Sequence, residues 1–202
     1  MSAKSLTNQE KMIQKEKLLA KGREFLTSYG VRKTSVEDIT KAANMAKGSF
    51  YHHFESKDAF FFELIVQLHS EWFQNAGKVF ALPSDIPLEQ RVREFIRIIF
   101  HSQEYLSIFK HHEEIEELIY NVKGFSREKL DALMEMEHSS YEQLLKLCGI
   151  DTDRVKPGVI HNYLHAIYFG IANADLMEKD SIDDTFEALL NGLILYIFGG
   201  DK

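Results

Sequence analysis

Cysteine, proline and long apolar runs are all scarce in this chain of 202 residues. The single cysteine, Cys148, excludes an internal disulfide and a paired-cysteine zinc or redox site. No stretch approaches eighteen uncharged apolar residues, which argues against a membrane span. The polar segment from Met1 to Lys21 lacks the apolar core of a secretory signal. We therefore expect a soluble, cytoplasmic protein.

The net charge of −7 argues against a nucleic-acid partner, but the distribution of charge argues for one. The first sixty residues carry eleven Lys and Arg against seven Asp and Glu, a net charge of +4, whereas the remainder carries −11. A basic N-terminal segment followed by an acidic remainder is typical of a DNA-binding domain attached to a domain with another role. Surface charge that is uneven by chance would give the same counts, so a sequence motif is needed to distinguish this possibility from DNA binding.

Apolar residues recur at helical spacing along almost the whole chain, and strand-like alternation is nearly absent, which predicts an all-α fold. Three prolines and eleven glycines leave room for long helices. Gly30 favours a helix stop, Thr34-Ser35 a helix start, and Asn44-Met45 a tight turn. Nine helices are predicted, over about 8–29, 35–43, 46–53, 57–80, 88–102, 104–120, 126–148, 157–178 and 182–198.

The second and third of these helices have the spacing of a helix-turn-helix. Small residues at the start of the third helix would let its backbone approach the major groove, and Lys47 can reach a base edge or a phosphate. The aromatic and imidazole side chains that follow can donate to phosphate oxygens. Lys57 adds a positive charge at the start of the fourth helix. The candidate DNA-binding residues are Thr34, Ser35, Ala46, Lys47, Gly48, Ser49, Tyr51, His52, His53 and Lys57.

This run resembles the DNA-binding signature of the TetR family (TetR/AcrR-type) of transcriptional regulators. The resemblance covers about residues 18–60 and rests on Thr34-Ser35-Val36, Ile39, Ala42-Ala43-Asn44-Met45-Ala46-Lys47-Gly48-Ser49-Phe50-Tyr51-His52-His53-Phe54 and Ser56-Lys57. It implies a nine-helix architecture, with a three-helix DNA-binding domain at 1–56 and a helical ligand-sensing and dimerisation domain at 57–202. Gly22, Val31 and Asn44 depart from the residues usual in the family at those positions.

The resemblance further implies a homodimeric regulator, most often a repressor, that binds a palindromic operator in double-stranded DNA. It implies release of the operator by a small-molecule effector, and no enzymatic activity. An apolar or aromatic effector suits the acidic C-terminal part better than a polyanion does. Polar and aromatic residues in the later helices are candidates for its pocket, namely His69, Trp72, His101, Tyr105, Phe109, Tyr141 and His165.

Small and apolar residues in the last two helices predict a dimer interface. Small residues allow close helix approach, and so many apolar residues in the last helix need to be covered by the core or by a partner. The residues assigned to the interface are Ala166, Gly170, Ala174, Leu189, Leu193 and Tyr196.

Three alternatives to a small-molecule effector stand beside this interpretation. Nine histidines raise the possibility of metal binding, but no HExxH or paired-cysteine spacing occurs, so neither a metal nor a cofactor is predicted. The acidic pairs around Glu113 and Glu116 have the pattern of a solvated helix face, which disfavours an enzyme. A regulator with a filled core, controlled by a partner protein or a metal, remains the alternative function.

Overall fold

The protein is described by a computed structural model that covers residues 7–81, 83–121 and 127–199. Over these ranges the chain forms ten α-helices and no β-strand, which confirms the all-α fold. No helix in these ranges is both long enough and apolar enough to cross a lipid bilayer. The helices are α1 (Asn8–Tyr29), α2 (Val36–Ala42), α3 (Lys47–Tyr51), α4 (Lys57–Ala81), α5 (Leu88–His101), α6 (Gln103–Phe109), α7 (His112–Glu116), α8 (Arg127–Leu147), α9 (Pro157–Ala172) and α10 (Ile182–Phe198).

The chain packs as two compact units. Unit 1 extends to Leu68 and also takes in the segment that begins at His111. Unit 2 comprises His69–Lys110 and the chain from α8 onward. The helix α4 therefore contributes residues to both units.

Local signals in the sequence define the helices of unit 1. At the start of α1 the hydroxyl of Thr7 accepts from the Glu10 amide at 3.2 Å, while the Glu10 carboxylate accepts from the Thr7 amide at 2.7 Å. This reciprocal pair satisfies two amides that a helix leaves without partners. Gly30 ends α1 with φ +77°, a conformation that favours glycine. Ser56 caps α4 by accepting from the amide of Ala59 at 3.0 Å.

Aromatic side chains fill the core of unit 1. Phe50 of α3 lies 5.3 Å from Phe54 and 5.3 Å from Phe60, measured between ring centroids. Phe61 packs against Phe60 at 5.1 Å, and Leu18 of α1 is fully buried with them. Each buried phenylalanine stabilises the fold by about 1.5–3 kcal/mol. The core therefore fixes α3 against the start of α4.

Gly22 lies where α1 passes the ring of Phe60. A Cβ at this position would lie 2.2 Å from Phe60 Cζ, far inside van der Waals contact. Packing thus explains why Gly22 departs from the resemblance, because the buried phenylalanine ring occupies the space that a methyl group would need.

Unit 2 has a separate apolar core drawn mainly from α5, α9 and α10. Leu164 and Ile167 of α9, together with Leu190 and Leu193 of α10, are buried in it. Arg97 of α5 holds the carboxylate of Glu187 on α10 with two hydrogen bonds of 2.7 and 2.6 Å. This pairing raises the pKa of Arg97 and lowers that of Glu187.

The predicted helix over 104–120 is divided in the structure. It consists of α6, which ends at Phe109, then α7, and a π-helical turn at Glu117–Asn121. The break falls at Lys110-His111, where the chain passes from unit 2 to unit 1. The predicted helix over 157–178 ends at Ala172 and is followed by the 3₁₀ turn Ala174–Leu176. The predicted start at Ser126 lies outside the described residues.

Candidate functional site

The helices α2 and α3 form a helix-turn-helix with a well-defined turn. Ser35 caps α2 by accepting from the Asp38 amide at 3.1 Å. In the turn, Asn44 has φ +54°, the left-handed conformation that asparagine tolerates better than most residues. The Met45 amide donates to the Thr40 carbonyl at 2.8 Å and closes the turn. These contacts set the direction of α3 before any DNA is present.

The start of α3 presents small and polar residues to solvent. Ala46, Lys47 and Gly48 are exposed, and a Cβ at Gly48 would have no other atom within 4 Å. Tyr51 is 53% exposed and His52 is exposed beside it, whereas Ser49 is half-buried. The absence of bulk at Gly48 lets the helix backbone come close to a groove floor. Lys47 and Tyr51 can then reach bases or phosphates.

Two of the predicted contacts stabilise the loop between α1 and α2. Thr34 is buried, and its hydroxyl donates to the Gly30 carbonyl at 2.7 Å, so this hydroxyl does not lie on the DNA-facing surface. The Lys57 ammonium donates to the carbonyls of Val31 at 3.0 Å and Thr34 at 3.2 Å. Their role in this structure is therefore to hold the loop that leads into α2.

His53 is partly buried between α3 and α1. Its Nε2 atom lies 3.2 Å from Oε1 of Gln14. Burial, and then the positive charges of His52, Lys15 and Lys11, lower the pKa of His53. A neutral imidazole is consequently favoured at this contact, and the ring helps to fix α3 against α1.

Acidic residues that were not predicted as part of this site also hold the loop before α2. The Arg32 amide donates to Oε2 of Glu114 at 2.8 Å, and its guanidinium donates to Oε2 of Glu117 at 2.6 Å. The hydrogen bond to Glu117 raises the pKa of Arg32. Gly30 leaves room for this approach, since a Cβ there would lie 2.5 Å from Nδ1 of His111. The acidic pattern around α7 therefore has a structural partner within unit 1.

Comparison with known proteins identifies this arrangement. Residues 18–64 match the model of the bacterial regulatory proteins of the tetR family, a range that includes α2, the turn and α3. The N-terminal part of the chain is therefore similar to the DNA-binding part of the TetR family of transcriptional regulators. Its helix-turn-helix is thus a DNA-binding element, and its homologues are regulators rather than enzymes.

Curated TetR-type relatives match the chain either over less than half of its length or, at lower identity, over most of it. The HTH-type transcriptional repressor DhaR of Mycobacterium sp. (strain GP1) is 33% identical over 85 residues, which are 42% of this chain and 43% of DhaR. The match thus spans less than half the length of that relative. The HTH-type transcriptional repressor NemR of Escherichia coli (strain K12) is 26% identical over 196 residues, or 89% of each protein.

Solved structures extend the likeness in fold to almost the whole chain. A TetR-family regulator from Pectobacterium atrosepticum has a TM-score of 0.64 at 19% identity, covering 94% of this chain and 92% of its own. The fatty acid degradation regulator FadR of Bacillus halodurans has a TM-score of 0.58 at 15% identity, covering 98% and 99%. At such identities the likeness concerns the fold alone.

An apolar cavity lies in unit 2 beside Trp72. Its volume is about 50 Å³, and Tyr141, Phe95, Cys148 and Leu193 are among the side chains that line it. The rings of Trp72 and Tyr141 are 6.0 Å apart. Burial raises the pKa of both Tyr141 and Cys148, as expected in apolar surroundings. Two of the predicted pocket residues, Trp72 and Tyr141, therefore meet at one cavity.

The other predicted pocket residues lie elsewhere in unit 2. His101 is exposed and packs edge-on against Phe186 at 4.8 Å. Phe109 is buried against Tyr168 at 4.7 Å, and Tyr105 is half-buried beside the same core. These three belong to the packing of unit 2 and do not line the cavity.

His69 and His165 meet at a different place, around Glu137 of α8. Glu137 was not predicted from the sequence. His161 lies one helical turn before His165 on α9. The coordinating atoms of Glu137, His161 and His165 lie within 4.8 Å of one another, so these residues could hold a metal ion.

The predicted dimer residues are partly exposed, with one clear exception. Leu193 is fully buried in the core of unit 2, so it does not lie on an exposed face. Ala166 is exposed, and Gly170, Ala174, Leu189 and Tyr196 are half-buried. The Tyr196 hydroxyl accepts from the Lys156 amide at 2.9 Å. Exposed apolar residues that sequence reasoning did not select lie on the same two helices, namely Val159, Phe169 and Leu195.

Proposed function

We propose that this regulator is a homodimeric repressor that binds a palindromic operator and releases it when a small apolar or aromatic molecule binds in unit 2. The observation that carries the proposal is the exposed start of α3, where Lys47, Gly48 and Tyr51 are available to DNA while the rest of the helix is anchored by Phe50. The names of DhaR and NemR, both repressors, support the repressive direction.

Dimerisation is supported by the apolar surface of α9 and α10. Leu195 is 69% exposed and Phe169 is 42% exposed, although both are large and apolar. Ala166 and Gly170 leave that side of α9 small, so a second copy could approach closely. A two-fold axis would present two α3 helices to successive major grooves, about 34 Å apart, which explains the palindromic operator.

The cavity beside Trp72 supports an apolar effector rather than a charged one. Its volume of about 50 Å³ has room for a few small atoms, whereas pockets for drug-sized ligands have roughly 300–1,000 Å³. An effector would therefore bind a conformation in which this cavity has opened. A ligand that binds the opened form better than the closed form shifts the protein toward it, and thereby toward weaker DNA binding.

The helix α4 provides the covalent connection that such a mechanism needs. Trp72 lies on α4 three residues after His69, and Lys57 at the other end of α4 holds the loop before α2 through two carbonyls. A displacement of α4 that accompanies cavity opening would pull on this loop. The ion pair of Arg32 with Glu117 gives the loop a second anchor.

The experiment uses Trp72 as its reporter, because it is the single tryptophan of the chain. A library of apolar and aromatic compounds would be screened for a change in its fluorescence, and the active compounds tested for release of labelled operator DNA. We expect the same compounds to do both. Compounds that change the fluorescence of Trp72 without weakening DNA binding would contradict the mechanism.

If no compound affects Trp72, the alternative of a filled core controlled by a partner is favoured, and the small size of the cavity is consistent with it. An L164W variant, which would fill the cavity from α9, distinguishes the two. If a small-molecule effector controls the protein, L164W should prevent that effector from releasing the operator. If a partner controls a protein with a filled core, L164W should leave regulation unchanged.

A further inference from the structure

A cluster of three histidines and one buried glutamate lies in unit 2, apart from every residue assigned to DNA binding. His69 is on α4, Glu137 on α8, and His161 and His165 on α9. Glu137 is only 7% exposed, which is unusual for a carboxylate. A buried charged group needs compensating partners, so the surroundings of this carboxylate carry information about its role.

The two oxygens of Glu137 face different partners. Oε1 accepts a hydrogen bond from Nδ1 of His69, while Oε2 lies 3.5 Å from Nδ1 of His161. The His69 contact thus fixes the carboxylate with its second oxygen toward α9. His161 and His165 are one helical turn apart, with ring centroids separated by 4.3 Å. Two imidazoles and one carboxylate oxygen therefore converge from two helices.

The donor set suits ligation. A carboxylate and neutral imidazoles are the forms in which these groups donate electron pairs to a cation. Glu137, His161 and His165 therefore present three donors to one ion.

We propose that Glu137, His161 and His165 bind a divalent transition-metal ion, and that His69 acts as a positioning residue for the carboxylate. Their coordinating atoms lie within 4.8 Å of one another. Ligands at about 2.1 Å from a common tetrahedral ion are about 3.4 Å apart, so a contraction of up to roughly 1.4 Å closes the site. Nitrogen-rich donors favour Zn²⁺, Co²⁺, Ni²⁺ or Fe²⁺ over Mg²⁺ and Ca²⁺, which prefer oxygen ligands.

Two side chains show that the site is distinct from the apolar cavity yet adjacent to it. Tyr141, which lines the cavity, packs edge-on against His161 at 5.9 Å between ring centroids. The four residues of the cluster do not line that cavity. The metal site is a property separate from the proposed function. Its test requires neither DNA nor an apolar effector.

The test is titration of the full-length protein, freed of metal by a chelator, with Co²⁺ followed by visible absorption and with Zn²⁺ followed by calorimetry. Wild-type protein should bind one ion per chain. Glu137→Gln and His165→Ala should weaken binding by at least roughly 100-fold, and His69→Ala by about 10-fold, the loss typical of a supporting partner. His138→Ala is the matched control, because His138 is the exposed neighbour of Glu137 on the same helix.

Thermal unfolding keeps the test independent of folding defects. The ion should raise the Tm of the wild type and of H138A, and leave that of E137Q unchanged. E137Q should still unfold cooperatively in the absence of the ion, which shows that the variant is folded. The proposal is overturned if wild-type protein binds neither ion, or if E137Q binds as tightly as wild type. Loss of binding in H138A equal to that in H165A would also overturn it. Operator binding by metal-free protein is measured separately, so failure of the DNA-binding function would not be mistaken for failure of the metal site.

Discussion

Gly22 lies inside α1, where alanine would favour the helix by about 1 kcal/mol, yet the ring of Phe60 occupies the space that a side chain would need. The residue type at this position is therefore set by a neighbour on another helix. The sequence showed an unfavourable helix residue, and only the packing of α4 against α1 supplies the reason.

Gly22→Ala should destabilise the protein despite the gain in helix propensity. Overpacking a buried site costs typically about 1–3 kcal/mol, so after the gain of about 1 kcal/mol in helix propensity a net loss of up to about 2 kcal/mol is expected in chemical denaturation. Gly77→Ala is the control, because a Cβ there meets Leu144 at an ordinary 3.8 Å. It should leave the free energy of unfolding unchanged or raise it. Equal effects of the two variants would contradict the packing argument.

His53 predicts a pH dependence of stability. Its pKa is lowered by burial, so the folded protein loses the imidazole proton at a lower pH than the unfolded chain does. Between the lowered pKa and about 6.5 the unfolded state binds more protons, and stability therefore rises with pH in this window.

Unfolding of the wild type and of His53→Gln, measured between pH 5 and 8, tests this contribution. The variant should show a smaller rise in stability across the window. His52→Gln, at the exposed neighbouring position, should retain the wild-type slope. If H53Q and wild type have parallel profiles, the contact between His53 and Gln14 does not favour the neutral ring.

At the scale of elements, the helices with local start and stop signals were predicted well. Gly30, Ser35, Ser56 and Pro157 each carry a conformational preference that acts within a turn of its own position. The break at Lys110-His111 has no such residue and occurs where the chain changes unit, so tertiary packing overrides helical periodicity there. For the same reason Glu137 and Arg32 were missed, since their partners lie on distant segments.

The exposed start of α3 predicts a specific effect of Lys47. Lys47→Ala should weaken operator binding roughly 10-fold, and should reduce the salt slope by about 1 if the lysine neutralises a phosphate. Fluorescence anisotropy at several salt concentrations measures both. Lys179→Ala, an exposed lysine in unit 2, should change neither. An unchanged affinity for K47A would remove Lys47 from the DNA interface.

At the scale of the whole molecule, the charge distribution and the two units assign different tasks to different parts of the chain. The basic N-terminal segment carries the DNA-binding helices, while the acidic remainder contains the cavity, the proposed metal-binding cluster and the apolar face of α9 and α10. Coupling between ligand and DNA in such proteins typically amounts to about 1–3 kcal/mol, or 5- to 150-fold in affinity.

Leu195→Glu should convert the proposed dimer into a monomer. A charged group on an apolar two-fold interface is placed twice in each dimer, and each copy would be desolvated without a partner. Sedimentation velocity would measure the change in mass. Met134→Glu, at another exposed apolar position on α8, should remain dimeric. Dissociation in both variants, or in neither, would contradict the assignment of the interface to α9 and α10.

Selection of binding sites from random double-stranded DNA tests the central claim most directly. The account predicts enrichment of a palindrome whose half-sites are centred about 10–11 base pairs or slightly more apart, with loss of enrichment when Lys47 and Tyr51 are both replaced by alanine. Failure of the wild-type protein to enrich any sequence, or equal enrichment by the double variant, would contradict the conclusion that α3 reads the operator.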